Sequence, residues 1–194
     1  KLFPGMIEDW RSRWKYEFPF YFVQIAPFRY TKDTLKNVSQ KLRESQRQAL
    51  KLPKTGMVVT LDIGEFDNIH PGNKQDVGKR LARLALVNDY NSILNPMGPL
   101  LKGGELIENS IKLNFSNVGS GLTYFNNKAN QFKISGPNMI FFEATVTVKD
   151  SSVYVSSSLV KNPLHVRYAW SDTPTATLFN GDGFPASSFE LEIK

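Results

Sequence analysis

Apolar residues recur at helical spacing through residues 2 to 15. Phe3, Ile7, Trp10 and Trp14 alternate there with Glu8, Asp9, Arg11 and Arg13. The pattern predicts an amphipathic helix with Pro4 in its first turn, where a missing N–H costs nothing, and with both tryptophans as core anchors. Phe18 to Phe28 is continuously apolar and aromatic apart from Gln24, with prolines at 19 and 27. Such a run suits a strand covered on both faces, as in a parallel sheet. Gln24 then either points into a ligand crevice or satisfies neighbouring backbone groups. A second helix is expected over residues 32 to 51, with Leu35, Val38, Leu42, Ser45 and Ala49 inward and Pro53 and Gly56 ending it. Met57 to Ile63 reads as the second buried strand. Asn73 or Gly72 can cap a third helix, with Val77, Leu81, Leu84 and Ala85 inward and Lys79, Arg80 and Arg83 outward.

Helix, strand, helix, strand, helix argues an open α/β sheet with parallel strands over residues 1–90. Two strands are too few for an independent doubly wound sheet, so both are expected to need further neighbours. From about Asn91 the pattern changes. Pro96, Gly98, Pro99, Gly103 and Gly104 suggest a connector. Short strand-like runs follow at Leu106–Phe115, Leu122–Phe125, Phe132–Ile134, Met139–Lys149, Ser152–Ser157 and His165–Trp170. Phe142, Ala144, Val146 and Val148 share one face by two-residue alternation. Residues 91–194 therefore read as a β-rich domain, an antiparallel β-sandwich.

Composition narrows the chemistry. With 194 residues, 41% of them hydrophobic, the chain can bury a core. It has no cysteine, which excludes disulfides, thiolate metal sites and cysteine nucleophiles within these residues. No apolar run reaches the roughly 18 to 20 residues of a membrane span, so a soluble chain without a membrane partner is expected. The start at Lys1-Leu2-Phe3-Pro4 has neither an initiator methionine nor a signal-peptide pattern and reads like the middle of a protein. The net charge of +6 lies in the first half: residues 1–95 hold 16 Lys and Arg against 10 Asp and Glu, and the remainder holds eight of each. Lys36, Lys41, Arg43, Arg47 and Lys51 are spaced along one predicted helix without interleaved aromatics. They read as a solvated helix face rather than a nucleic-acid surface.

The chain has two histidines. His165 sits in an alternating stretch with Arg167 and reads as a surface residue. His70 lies beyond the C-terminal end of a predicted parallel strand, where open α/β sheets bind their ligands, and Asp67 is three residues before it. An imidazole with a nearby carboxylate suits a general base whose tautomer is fixed by an acid, acting on a serine hydroxyl in acyl transfer. By spacing alone, a structural loop hydrogen bond is the competing reading. Two histidines placed in different regions do not make a zinc site, so no metal is expected.

Asp62-Ile63-Gly64, Asp67-Asn68-Ile69-His70-Pro71 and Asn73-Lys74-Gln75-Asp76-Val77-Gly78-Lys79-Arg80-Leu81-Ala82 resemble the last catalytic block of the sialate O-acetylesterase family. These are serine esterases of the SGNH/GDSL hydrolase fold. The resemblance continues through Phe3-Pro4-Gly5-Met6-Ile7-Glu8-Asp9-Trp10-Arg11, Phe18-Pro19-Phe20-Tyr21-Phe22-Val23-Gln24 and Leu42-Arg43-Glu44-Ser45-Gln46. It ends in Val166-Arg167-Tyr168-Ala169-Trp170 and Asn180-Gly181-Asp182-Gly183-Phe184-Pro185-Ala186-Ser187-Ser188-Phe189.

The resemblance implies that His70 is the catalytic base and Asp67 its orienting acid, ahead of Asp62 and Glu65. It implies an incomplete SGNH-type three-layer α/β sheet followed by the β-sandwich. It also implies an O-acetylated sugar substrate, no cofactor, and a secreted, periplasmic or lysosomal setting. The family's nucleophilic serine and oxyanion-hole residues lie upstream of the matching region. Gly119-Ser120-Gly121 reads as a turn, not a nucleophile. This chain then resembles the C-terminal part of an esterase, inactive alone, whose partner is its own N-terminal half. A reading from another class is a non-catalytic carbohydrate-binding module, with Tyr168, Trp170 and Phe184 as sugar-stacking surfaces.

Overall fold

A computed structural model describes residues 2–30, 38–125 and 130–193. The first half follows the expected order: α1 (Leu2–Trp14), β1 (Phe20–Val23), α2 (Ser39–Gln48), β2 (Thr55–Val58) and α3 (Lys74–Asp89). β1 and β2 pair in parallel, from Phe20 opposite Thr55 to Val23 opposite Val58. Both strands are shorter than their apolar runs. The Gln24 N–H still donates to the Val58 carbonyl at 2.8 Å, but the next N–H, of Ile25, donates to the Gln46 side chain at 2.9 Å instead of to a strand.

The helices bury polar groups where periodicity points to apolar ones. In α1, Ile7 and Arg11 face inward, while Trp10 and Trp14 are 46% and 74% exposed. The Arg11 guanidinium reaches under the helix to the carbonyls of Phe18 at 2.8 Å and Lys54 at 3.2 Å. Carbonyls at strand entrances need donors, and a leucine cannot supply one. The tryptophans lie against Phe20 and Phe18 respectively, with ring centroids 6.0 and 5.3 Å apart.

Along α2 the expected inward stripe is turned outward at Leu42 and Ser45, which are exposed, while Ser39, Gln40 and Arg43 are buried; Ala49, just past the helix, is buried as expected. Leu35 and Lys36 lie outside the described residues. Arg43 is therefore no part of a solvated face. It is fully buried, donates to the carbonyl of Ser171, and lies 3.2 Å from Ser188 Oγ and 3.3 Å from Ser39 Oγ. Ser39 Oγ in turn donates to Asp172 at 2.5 Å. Burial lowers the Arg43 pKa to about 10 against the pull of Asp172 and Tyr30, so it stays charged at neutral pH. On α3, Leu84 is buried as expected, but Arg80 and Arg83 fold back onto the protein rather than into water.

The second half is antiparallel. β3 (Leu100–Ile107), β4 (Ser110–Ser116), β8 (Thr145–Lys149) and β9 (Ser152–Ser156) form a sheet in the order β3-β4-β9-β8. β6 (Phe132–Ser135), β7 (Phe142–Glu143), β10 (His165–Tyr168) and β12 (Phe189–Glu192) form a second, in the order β12-β10-β6-β7. β5 (Leu122–Tyr124) and β11 (Leu178–Asn180) make a two-stranded ribbon. The expected connector at Gly103 and Gly104 is instead strand, with a bulge between Leu101 and Gly103, and the run Leu106–Phe115 is a hairpin turning at Glu108. The alternation of Phe142, Ala144, Val146 and Val148 holds, with Glu143, Thr145 and Thr147 on the outer face. Phe132, Tyr168 and Phe189 are the buried aromatic centre, with ring centroids 4.6 to 6.3 Å apart. The architecture is thus mixed α/β, a parallel pair followed by several antiparallel sheets.

The segment Asn180–Ser188 ties the two halves together. Asn180 Nδ2 donates to the Met97 and Asn117 carbonyls at 3.1 and 2.8 Å, and its Oδ1 accepts from the Phe184 N–H at 2.9 Å. Asp182 accepts from Arg83 at 2.8 Å and from Asn95 at 2.5 Å. The Phe184 ring lies 5.5 and 4.9 Å from the Arg80 and Arg83 guanidinium carbons. At Gly98 a side chain would collide with the Pro185 carbonyl, so the backbones meet there without one.

Arg43→Ala leaves the Ser171 carbonyl and the charge of Asp172 without their guanidinium. We expect a loss of about 3–5 kcal/mol in unfolding free energy, as for a broken buried charge network. Urea denaturation of the purified chain checks it.

Candidate active site

The loop from Val59 to Asn73 begins where β2 ends and stops at the cap of α3. Asn73 accepts the Asp76 N–H at 3.1 Å and so starts α3 as its N-cap. Thr60 fixes the other end: its hydroxyl donates to the Gln24 carbonyl at 3.0 Å, and its carbonyl accepts from Gly64 N–H at 3.0 Å. Gly64 must lack a side chain, since a Cβ would lie 2.6 Å from Pro27 Cδ.

Three carboxylates lie on this loop, and each has a different partner. Asp62 forms a paired contact with Arg80, at 2.8 and 2.5 Å, with the two side chains only 17% and 13% exposed. Arg80 also donates to the Val59 carbonyl at 2.7 Å. Asp62 thus fastens the strand end to α3. Glu65 closes the loop on itself. Its Oε1 accepts from the Gly72 N–H at 2.6 Å and its Oε2 from Asn68 Nδ2 at 3.1 Å. Asn68 Oδ1 then accepts the His70 N–H at 3.0 Å. Asp67 is 72% exposed and pairs with Arg29, Nη1 to Oδ1 at 2.7 Å.

His70 is exposed, and its imidazole has no hydrogen-bond partner among the described residues. Asp67 and His70 thus share one short loop, without a side-chain hydrogen bond between them. An exposed imidazole beside a carboxylate can take a proton from a hydroxyl brought to it. Beside the loop, at the C-terminal ends of β1 and β2, Ile25, Ala26, Thr60, Gly64, Pro71 and Val77 line a cleft of about 320 Å³. Gln24 borders this cleft but is fully buried. Its side chain donates to the Arg43 carbonyl at 3.0 Å and to Ser187 Oγ at 2.8 Å, which is the backbone- and side-chain-satisfying alternative.

The remaining sequence candidates lie elsewhere. His165 is buried, not a surface residue, because β10 is flanked by β6 and β12. Tyr168 is fully buried, its hydroxyl accepting the Thr177 and Leu178 N–H groups at 3.1 and 2.9 Å, so it offers no stacking surface. Phe184 is covered by two arginines, and Trp170 is half-buried, 5.9 Å from the Arg167 guanidinium. Among the described residues no group of three or more His, Cys, Asp or Glu is placed to hold a metal ion, and no helix is long and apolar enough to cross a membrane.

Sequence reasoning missed Arg29 and weighed Glu65 only as a rival acid. Arg29 follows an aromatic run and meets Asp67 only through folding, so no local pattern marks it. Asn68 offered a signal, because Asn side chains commonly bind a backbone N–H two residues on.

Backbone and side-chain hydrogen bonds from Gly72 and Asn68 hold the Glu65 carboxyl below its usual value of 4.5. A depressed carboxylate contributes its tie above the ordinary pKa and loses it as pH falls through the lowered one. The Gly72 amide proton resonance is therefore expected to titrate with a midpoint below 4.5. Glu65→Gln is expected to abolish that titration, as read by proton–nitrogen NMR.

No protein-family model matches the chain. It is 34% identical to mouse (Mus musculus) sialate O-acetylesterase in a match covering 59% of this chain and 25% of that protein. It superimposes on the crystal structure of a carbohydrate acetylesterase from Xanthomonas citri with a TM-score of 0.89 and 36% identity, over 98% of this chain and 45% of that one. The chain therefore spans about a quarter and under half the length of these two relatives. In sequence and in fold it is sialate O-acetylesterase-like, corresponding to the C-terminal portion of such a protein.

Proposed function

We propose that this chain is the part of a carbohydrate O-acetylesterase that carries the catalytic base and its orienting acid. Residues 1–90 are then the C-terminal part of an SGNH-type three-layer α/β domain, and residues 91–194 form a sandwich-like β domain joined to it. The upstream half supplies the nucleophilic serine and the oxyanion-hole residues. It also supplies further strands for the sheet, since β1 is paired on one side only among the described residues. The substrate is an acetyl ester of sialic acid or a related sugar, and a secreted, periplasmic or lysosomal setting accompanies that reading.

The mechanism assigns one role to each residue. His70 takes the proton from the serine hydroxyl as the oxygen attacks the acetyl carbonyl. The imidazolium returns a proton to the departing sugar oxygen, which leaves an acetyl-serine. Water, deprotonated by His70, then releases acetate and restores the serine. Asp67 accepts from the other ring nitrogen, fixing the tautomer and stabilising the imidazolium. The observation that carries the reading is the likeness to the Xanthomonas citri carbohydrate acetylesterase, which takes in 98% of the chain.

In the full-length protein, His70→Ala is expected to lower kcat on p-nitrophenyl acetate by roughly 10²–10⁴-fold, the usual contribution of a general base. Residues 1–194 alone are expected to give no turnover above background. Normal activity after His70→Ala contradicts the assignment, and turnover by the isolated chain places the nucleophile within it.

A further inference from the structure

An orienting acid needs one carboxylate oxygen for the imidazole and something to hold the other. Asp67 is 72% exposed, so neither burial nor packing keeps its side chain in place. Arg29 meets it from the segment that follows β1, with Nη1 2.7 Å from Oδ1. The same residue holds the loop by its backbone, because its N–H donates to the Phe66 carbonyl at 2.7 Å. That segment is itself anchored, through the Phe28 N–H to the Asp172 carbonyl at 3.1 Å. One residue thus grips the turn at Phe66 and the carboxylate beside it.

We propose that Arg29 is the positioning residue for Asp67: it fixes Oδ1, leaves Oδ2 for the imidazole, and keeps the dyad's net charge low. The proposal rests on the assignment of His70 and Asp67 as base and acid. The other charges on and around the loop have their own partners. Asp62 is neutralised by Arg80, Glu65 is closed on Gly72 and Asn68 with Lys74 nearby, and Asp76 faces Lys79. Among the described residues, Arg29 is therefore the cation paired with Asp67.

The sign of the effect follows from Coulomb's law. A cation on Asp67 weakens the carboxylate's support of the imidazolium and so favours neutral imidazole. Removing it is expected to move the acid limb of the rate profile to higher pH. A merely structural arginine would lower activity equally at every pH.

The test is steady-state kinetics of the full-length esterase on p-nitrophenyl acetate from pH 5 to 9, comparing Arg29→Ala, Arg29→Gln and Arg29→Lys with wild type. Arg29→Ala is expected to lower kcat about three- to tenfold, with KM nearly unchanged, as for loss of an exposed but oriented ion pair. Its acid limb should move up by about half a unit. Arg29→Lys is expected to restore the limb and most of kcat. Arg29→Gln, which keeps a donor without the charge, should show the shifted limb with a smaller kcat loss. Arg29→Ala and Arg29→Gln with a wild-type kcat and limb overturn the proposal. So does a faster Arg29→Ala, which would mean that Arg29 withholds Asp67 from the imidazole. A His70→Ala control that remains active defeats the catalytic assignment itself, whereas an inactive control with unaffected Arg29 variants defeats only the role of Arg29.

Discussion

A buried guanidinium has to be surrounded by acceptors, and Arg43 draws its surroundings from four separated stretches of the chain. Ser39 lies one turn back on the same helix, the Ser171 carbonyl follows β10, Ser188 precedes β12, and Gln24 after β1 donates to the Arg43 carbonyl. Desolvating such a charge costs several kcal/mol unless the geometry is complete. The α2 helix, the end of β1 and the two C-terminal approaches therefore cannot drift independently. Because α2 is held this way, Leu42 is left on the outer side and the helix's polar face becomes the seam between the halves.

The seam continues along Asn180–Ser188. Asn180, Asp182, Phe184, Ser187 and Ser188 each meet a partner on another element, and two of those partners, Arg80 and Arg83, sit on α3. Arg80 also holds Asp62, at the foot of the Asp67–His70 loop. The β-rich half thus reaches the candidate site through α3: Phe184 covers Arg80, Arg80 holds Asp62, and the loop hangs from that point. Glu65 and Asn68 then shape the loop from within. Asp67 and His70, the proposed acid and base, are left at the surface, which suits residues proposed to meet groups from outside these elements.

Much of this was legible in the residues. The helix–strand alternation gave the parallel pair, two-residue alternation gave the outer and inner faces of β8, and Asn73 capped α3 as its residue type suggests. Asp67-x-x-His70 marked the loop. Apolar periodicity failed at α1 and α2, because it assumes that inward positions are apolar. Arg11 and Arg43 are inward since strand ends and loops there present carbonyls to be satisfied. β11 and β12 were missed because they are only three and four residues long, although Phe189-Glu190-Leu191-Glu192 does alternate; they are placed by pairing with β5 and β10. Arg29 was invisible because it is meaningful only beside Asp67.

The central claim is that His70 and Asp67 complete an active site whose nucleophile comes from outside these residues. The most direct measurement is a crystal structure of the full-length protein after covalent trapping of its nucleophile with an alkyl fluorophosphonate. The account expects a phosphonylated serine upstream of Lys1, with His70 Nε2 about 3 Å from its oxygen and Nδ1 donating to Asp67. A label on a residue out of reach of His70, or a different imidazole beside the trapped serine, would contradict it.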